Sequence, residues 1–275
     1  MSLEISKLSP ALGAKIENLD LCQNLDPKTF GIIHDALLEH LVLVIPDQEV
    51  TVEQQTQFAQ YFGEIDTPMV SNAQDDDNPH VMFVSNVRDM GLRTSLEDGE
   101  MMFHSDRSFA EHPFMATTLY ALEVPPRGGN TLFANCYRAY DAVPDRIQKL
   151  LKNSKAVHVY DYDNNQVQKT VENSPDAPRW AQPIFRTHPE TGKKSVYVNR
   201  LMTEYIVGIE EQESSDILKE LYDLSEREEF IYEHKWTVGD LLIWDNRCTM
   251  HARTHFDPNQ RRMLRRVTIR GDRAF

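Results

Sequence analysis

Two short segments, far apart in the sequence, carry side chains that could bind one metal ion. His104 and Asp106 place an imidazole and a carboxylate two residues apart. In an extended strand both point to the same face, while Ser105 points away. His251, just beyond the apolar run at 241–243, is the best candidate for a third ligand. Two histidines and one carboxylate on adjacent strands form the facial triad of non-haem Fe(II) oxygenases, which leaves coordination positions open for substrates.

The same three ligands would also suit a zinc hydrolase that uses a metal-bound water. A third alternative is a small-molecule binding protein of the same fold without catalytic activity. Metal analysis and turnover assays would separate these three functions.

A segment near the C-terminus is rich in arginine. Residues 253–273 hold seven arginines and two acidic residues, a local charge of +5 in a chain of formal net charge −14. In a strand, Arg262 and Arg266 share one face and stand ~13 Å apart along one wall. This spacing suits two separate anions, because a buried guanidinium can bind a carboxylate through two hydrogen bonds. A solvated basic edge strand would explain Arg261, Arg265 and Arg273, but it gives no reason for arginines on both faces.

Composition excludes several classes of protein. A chain with 29 basic and 43 acidic residues repels nucleic-acid phosphate and anionic lipid, so neither is an expected partner. No apolar run approaches the ~20 residues needed to span a bilayer. The three cysteines lack CxxC spacing and the N-terminus lacks a signal-peptide layout, so we expect a cytoplasmic protein with free thiols. The length favours one domain over residues 1–275, and it leaves the oligomeric state open, a homo-oligomer included.

Helix and strand signals along the chain predict the elements that would position these residues. Asp26-Pro27 predicts a helix start before a β-rich run at 41–46, and Thr51 begins a capping-box helix that ends before Gly63. Further helical patterns lie near 137–152 and 210–224, and irregular segments at 64–102 and 161–180. Short β-prone runs dominate the rest: 115–121, 130–134, 155–160, 194–199, 230–236, 240–244 and 264–269.

Many short strands with a few outer helices favour a mainly β protein with flanking helices. We expect its core to be a double-stranded β-helix, the jelly roll of cupin-like proteins, rather than a parallel α/β sheet.

Four motifs together carry a resemblance to a known family. They are His104-Ser105-Asp106, Gly128-Gly129-Asn130-Thr131, Trp244-Asp245-Asn246-Arg247 with His251, and Gln260-Arg261-Arg262. In order and spacing they resemble the taurine dioxygenase / 2,4-dichlorophenoxyacetate dioxygenase family of Fe(II)- and 2-oxoglutarate-dependent oxygenases. The similarity extends over almost the whole chain.

The resemblance implies a role for each matching residue. His104, Asp106 and His251 would bind Fe(II), and Arg262 would hold the distal carboxylate of 2-oxoglutarate. Thr131 would add a hydroxyl hydrogen bond to that carboxylate. Arg266 matches the position that meets the acidic group of the substrate in sulfonate-using members.

The family reaction consumes 2-oxoglutarate and O2 and releases succinate and CO2. Because Asp106 supplies the carboxylate ligand that halogenating relatives lack, hydroxylation of a small anionic sulfonate or carboxylate is the expected outcome.

Three positions depart from the pattern of taurine-using relatives and are predicted to contact the substrate. Glu100 replaces an asparagine, and a carboxylate there would repel a sulfonate or favour an amino group. The loop that ends at Asn72 lacks the histidine expected for taurine. Met202 lies near the position where an aromatic residue is expected. Taurine is therefore not the expected substrate.

Overall fold

The computed structural model describes residues 3–67, 78–87, 101–161 and 175–275. Its five helices in these ranges are α1 Pro27–His40, α2 Val52–Gln60, α3 Cys136–Ala142, α4 Asp145–Leu151 and α5 Glu211–Ser225. The first eight strands are β1 Glu4–Lys7, β2 Ala14–Glu17, β3 Val42–Ile45, β4 Val81–Ser85, β5 Ala116–Glu123, β6 Thr131–Asn135, β7 Lys155–Val159 and β8 Arg179–Pro183. The other seven are β9 Phe185–Thr187, β10 Lys194–Val196, β11 Thr203–Ile206, β12 Ile231–His234, β13 Leu241–Asp245, β14 Thr249–Arg253 and β15 Met263–Ile269.

The caps predicted for the first two helices are present. The side chain of Asp26 accepts hydrogen bonds from the main-chain N–H groups of Lys28 and Thr29, and Pro27 occupies the first turn of α1. At the start of α2, Thr51 and Gln54 form both hydrogen bonds of a capping box. Each cap satisfies N–H groups that have no partner inside the helix.

The strands form one large sheet and several small ones. Seven strands pair in the order β1-β2-β3-β13-β5-β15-β4, and a smaller sheet has the order β12-β6-β14. Side chains from both sheets, including Phe133, Trp244 and Leu264, pack into one apolar cluster between them. On the outer face of the large sheet, α1 and α2 cover a second cluster. The prediction of a mainly β jelly roll with flanking helices is confirmed.

The arginine-rich strand lies inside the sheet, not at its edge. β15 is hydrogen-bonded to β5 on one side and to β4 on the other. Arg265 is buried on its outer face, where it donates to the side chain of Gln55 and the carbonyl of Val50. The alternative of a solvated basic edge strand is therefore wrong for Arg265, which joins the sheet to α2.

Three sequence-based boundaries need correction. The segment predicted as irregular at 64–102 contains β4, and the segment predicted as a loop at 161–180 ends within β8; residues 68–77, 88–100 and 162–174 lie outside the described ranges. The helical pattern at 137–152 is two helices, because Pro144 cannot continue α3 and instead precedes α4. Among the described helices, none has the length and apolar character needed to cross a membrane.

Candidate active site

The three predicted metal ligands come together between the two sheets. His104 and His251 form an antiparallel bridge in which each main-chain N–H donates to the other residue's carbonyl, at 3.0 and 2.9 Å. Oδ1 of Asp106 lies 3.9 Å from Nε2 of His104 and 3.8 Å from Nε2 of His251. One ligand atom from each residue fits within 4.8 Å of the others. As the strand alternation predicts, the hydroxyl of Ser105 points away, to the carbonyl of Thr249.

The orientation of the side chains fits a first-row divalent metal. Nδ1 of His104 lies 2.9 Å from the carbonyl of Met102, so this nitrogen carries the proton and Nε2 keeps its lone pair. Thr117 donates its hydroxyl proton to Oδ2 of Asp106 at 2.8 Å, which leaves Oδ1 to face the histidines. Two imidazole nitrogens and one carboxylate oxygen form a donor set typical of non-haem iron.

Asp106 is held in its ionised form despite its burial. Burial alone would raise the pKa of this carboxyl, but Arg266, His251 and His104 lower it below its usual value. Nη2 of Arg266 lies 2.6 Å from Oδ1 of Asp106. A deprotonated carboxylate is the form that binds a metal.

Arg262 is a buried cation held by main-chain groups. Its Nε donates to the carbonyl of Gly129 at 3.0 Å, and its main-chain N–H donates to the side chain of Asn86. Burial, together with the nearby charge of Arg253, lowers the pKa of Arg262 to about 9. Within the described ranges no carboxylate forms an ion pair with it. An anion would relieve the unfavourable burial of this charge.

Thr131 lies at the start of β6, two residues after Gly129. Its hydroxyl oxygen accepts a hydrogen bond from the indole N–H of Trp236 at 3.0 Å. Because indole can only donate, the hydroxyl proton of Thr131 stays available for an acceptor such as a carboxylate oxygen. The sequence predicts Thr131 but not Trp236, whose contact with Thr131 depends on the pairing of β12 with β6.

A protein-family model matches nearly the whole chain. The family described as "Taurine catabolism dioxygenase TauD, TfdA family" matches residues 4–268. The chain belongs to this family. It is therefore a 2-oxoglutarate-dependent dioxygenase, and the family's reaction requires 2-oxoglutarate and a metal ion.

Individual TauD/TfdA relatives align over nearly their full length. An (S)-phenoxypropionate/alpha-ketoglutarate-dioxygenase of Sphingobium herbicidovorans is 31% identical, over 99% of this chain and 96% of the relative. An alpha-ketoglutarate-dependent 2,4-dichlorophenoxyacetate dioxygenase of Cupriavidus pinatubonensis is 31% identical, over 99% of both chains. The solved structure of AAD-2 in complex with Mn(II) and N-oxalylglycine has a TM-score of 0.84 and 31% identity, over 100% of this chain and 99% of that one.

The predicted substrate-contacting residues have different outcomes in this TauD/TfdA chain. Arg266 lies in the site beside Asp106, and its Nε–H is buried without an acceptor in the described ranges. Met202 packs with Phe109 in a buried cluster, where its sulfur accepts from the hydroxyl of Ser108. Glu100 and Asn72 lie outside the described residues.

A second group of potential ligands, His188, Asp245 and Cys248, is fully engaged within the protein. Nδ1 of His188 accepts from two main-chain N–H groups, and its Nε2 lies 2.9 Å from Asp245. Asp245 also accepts two hydrogen bonds from the guanidinium of Arg247. Burial raises the pKa of the Cys248 thiol well above its usual value. This network supports the turn between β13 and β14.

Proposed function

We propose that this chain binds Fe(II) through His104, Asp106 and His251 and hydroxylates a small anionic substrate at the expense of 2-oxoglutarate and O2. The observation that carries the proposal is this triad together with two arginines: Arg266, whose guanidinium contacts Asp106, and Arg262, a buried cation just before the same strand. The bound metal would couple decarboxylation of 2-oxoglutarate to oxidation of the substrate, with release of succinate and CO2.

The protein would bind the distal carboxylate of 2-oxoglutarate with Arg262 and Thr131. Arg262 is a buried cation that forms no ion pair with a described residue, and Thr131 has a hydroxyl proton to donate. Charge-assisted hydrogen bonds of this kind are among the strongest that a protein forms with an anion. Gly129 fixes the guanidinium through its carbonyl, so the cosubstrate meets a preorganised site.

Arg266 would bind the acidic group of the substrate. Its Nε–H is buried and lacks an acceptor in the described ranges, and its Nη2 is already beside the metal-binding carboxylate. A substrate anchored there would place its adjacent carbon atoms next to the metal. Two relatives are named for phenoxypropionate and 2,4-dichlorophenoxyacetate, so we propose a carboxylate of the aryloxyalkanoate type as the first class to test.

Anaerobic titration tests the proposal directly. Adding Fe(II) and then 2-oxoglutarate to the metal-stripped protein should produce a metal-to-ligand charge-transfer band, whereas Zn(II) in place of Fe(II) should not. Succinate release should then rise on addition of an aryloxy carboxylate under air. A protein that binds Fe(II) but gives no band with 2-oxoglutarate would contradict the assignment.

A further inference from the structure

The side chain of Asn246 forms three hydrogen bonds, two of them with the main chain of Asp106. The main-chain N–H of Asp106 donates to Oδ1 of Asn246 at 2.7 Å, and Nδ2 of Asn246 donates to the carbonyl of Asp106 at 2.9 Å. The second Nδ2 proton goes to the carbonyl of Phe114, also at 2.9 Å. Asn246 is fully buried, so water cannot replace these bonds.

The main chain at Asp106 needs such support. Asp106 lies outside the regular strands, and the next residue, Arg107, has a φ of +57°. Residues with side chains rarely adopt this left-handed conformation, which persists only where the surroundings enforce it. The hydrogen bonds of Asn246 therefore fix the main chain of Asp106, the residue just before Arg107.

The carboxylate of Asp106 is fixed by a different residue. Thr117, fully buried on β5, donates its hydroxyl proton to Oδ2. The other oxygen, Oδ1, is the one near both histidines. Without the Thr117 hydroxyl, the carboxylate could rotate or offer both oxygens to one ion.

We infer that Asn246 and Thr117 are positioning residues that fix Asp106 as a metal ligand through one oxygen, Asn246 through its main chain and Thr117 through its carboxylate. This inference rests on the proposed metal-binding function. Asn246 follows β13 directly and precedes His251 by one short turn, so the same amide ties the carboxylate ligand to the segment that carries a histidine ligand. Replacing groups that orient metal ligands typically lowers metal affinity by about 10- to 100-fold.

Metal titration without 2-oxoglutarate or substrate tests the inference. Mn(II) binding is measured by electron paramagnetic resonance on the stripped full chain, and Co(II) binding by its visible absorption. Asn246→Asp, which removes the two amide donors, and Thr117→Val, which removes only the hydroxyl, should each weaken Mn(II) binding about 10- to 100-fold. Thr117→Val should also change the Co(II) band intensities, because the coordination geometry changes.

Two control variants separate positioning from general damage. Thr117→Ser keeps the hydroxyl and should restore wild-type affinity and the wild-type Co(II) spectrum. Thr118→Val removes a buried hydroxyl from the opposite face of the same strand, near the carbonyl of Val267, and should leave metal binding unchanged.

The outcomes separate the proposed metal-binding function from the positioning roles of Asn246 and Thr117. A wild-type protein that binds neither ion would refute the proposed function itself. A wild type that binds Mn(II), with Thr117→Val and Asn246→Asp folded and equally tight, would overturn only the positioning roles. Should Asn246→Asp fail to fold, Thr117→Val alone decides, since it preserves side-chain shape.

Discussion

The side chain of Arg262 packs directly against the main chain of Gly129. A Cβ placed on Gly129 would lie 3.1 Å from Cδ and 3.2 Å from Nε of Arg262, and 2.9 Å from the ring of Pro125. Gly129 also has a φ of +66°, which a residue with a side chain rarely adopts. The absence of a side chain at this position therefore sets where the arginine lies.

Gly129→Ala should push Arg262 from its place and weaken 2-oxoglutarate binding by about 10-fold or more, with Mn(II) affinity unchanged. Gly192→Ala is the matched control, because Gly192 has a φ of +69° but, apart from its chain neighbours, no atom of the described residues lies within 4 Å of the place that a Cβ would take. Both variants bear the same left-handed conformational strain. Calorimetric titration with N-oxalylglycine on the Mn(II)-loaded protein measures the difference; equal losses in the two variants would show that strain alone is responsible.

Arg262→Met should change stability and binding in opposite directions. The buried guanidinium is unfavourable in the folded protein, as the lowering of its pKa to about 9 indicates, so methionine should raise the melting temperature without cosubstrate. The same change should weaken 2-oxoglutarate binding about 30-fold or more, because an anion loses its buried partner. Differential scanning fluorimetry with and without N-oxalylglycine reads both effects. A lower melting temperature together with retained binding would contradict this account.

Trp236→Phe should weaken 2-oxoglutarate binding by about 3- to 10-fold, the usual effect of losing one hydrogen bond. Phenylalanine keeps most of the packing but removes the N–H that occupies the acceptor position of Thr131, so the threonine hydroxyl can rotate. Trp180→Phe, in a partly exposed tryptophan on β8, provides the control. If the KM for 2-oxoglutarate stays at its wild-type value in Trp236→Phe, the orientation of Thr131 does not depend on the indole.

Arg266→Gln should raise the KM for an anionic substrate by about 30-fold or more while leaving 2-oxoglutarate affinity nearly unchanged. The reason is that Arg266 and Arg262 serve different anions in this proposal. Arg266→Lys keeps the charge but loses the planar guanidinium, so its KM for the substrate should lie between those of the wild type and Arg266→Gln. Steady-state succinate release with varied substrate and with varied 2-oxoglutarate measures the two constants separately. A parallel rise of both would mean that Arg266 acts on the metal site as a whole.

Asp245→Asn should destabilise the protein by about 3–5 kcal/mol at neutral pH, because it removes one partner of a buried ion pair with Arg247. Burial would raise the pKa of Asp245, but Arg247 and His188 hold it below its usual value. The unfolded chain therefore binds the proton first as the pH falls. The wild type should therefore exceed Asp245→Asn in free energy of unfolding by the full amount above the unfolded-state pKa of ~3.9. This difference should shrink progressively at lower pH. Urea unfolding of both proteins across this range measures the difference, and an advantage that does not change with pH would contradict the assigned cause.

Residues whose role depends on local sequence could be identified without the structure. The caps at Asp26 and Thr51 depend on neighbours within three residues, and the spacing of Arg262 and Arg266 follows from strand alternation. Ligand type and spacing predicted that His104, Asp106 and His251 come together, as they do. The role of Thr131 in binding 2-oxoglutarate, which the family motifs imply, stays a prediction.

Several contacts across long sequence separations, with no ligand motif to mark them, were not predicted. Asn246 contacts Asp106 across 140 residues, and Trp236 contacts Thr131 across 105. Only strand pairing shows such contacts, and the pairing of β4 with β15 was missed because polar segments surround β4. The buried role of Arg265 escaped prediction for a related reason: charged residues are seldom found buried unless they are paired, and its partners come from α2 and the residues before it.

The bridge between His104 and His251 has a consequence for folding kinetics. His104 and His251 lie far apart in the sequence and meet only through non-local strand pairing, which is slow to form. A chain that has not yet formed this pairing therefore has no complete site to offer a metal. A metal ion that binds only the finished structure stabilises it without speeding its formation. Added metal should therefore lengthen the lifetime of the native state and leave the refolding rate as it is.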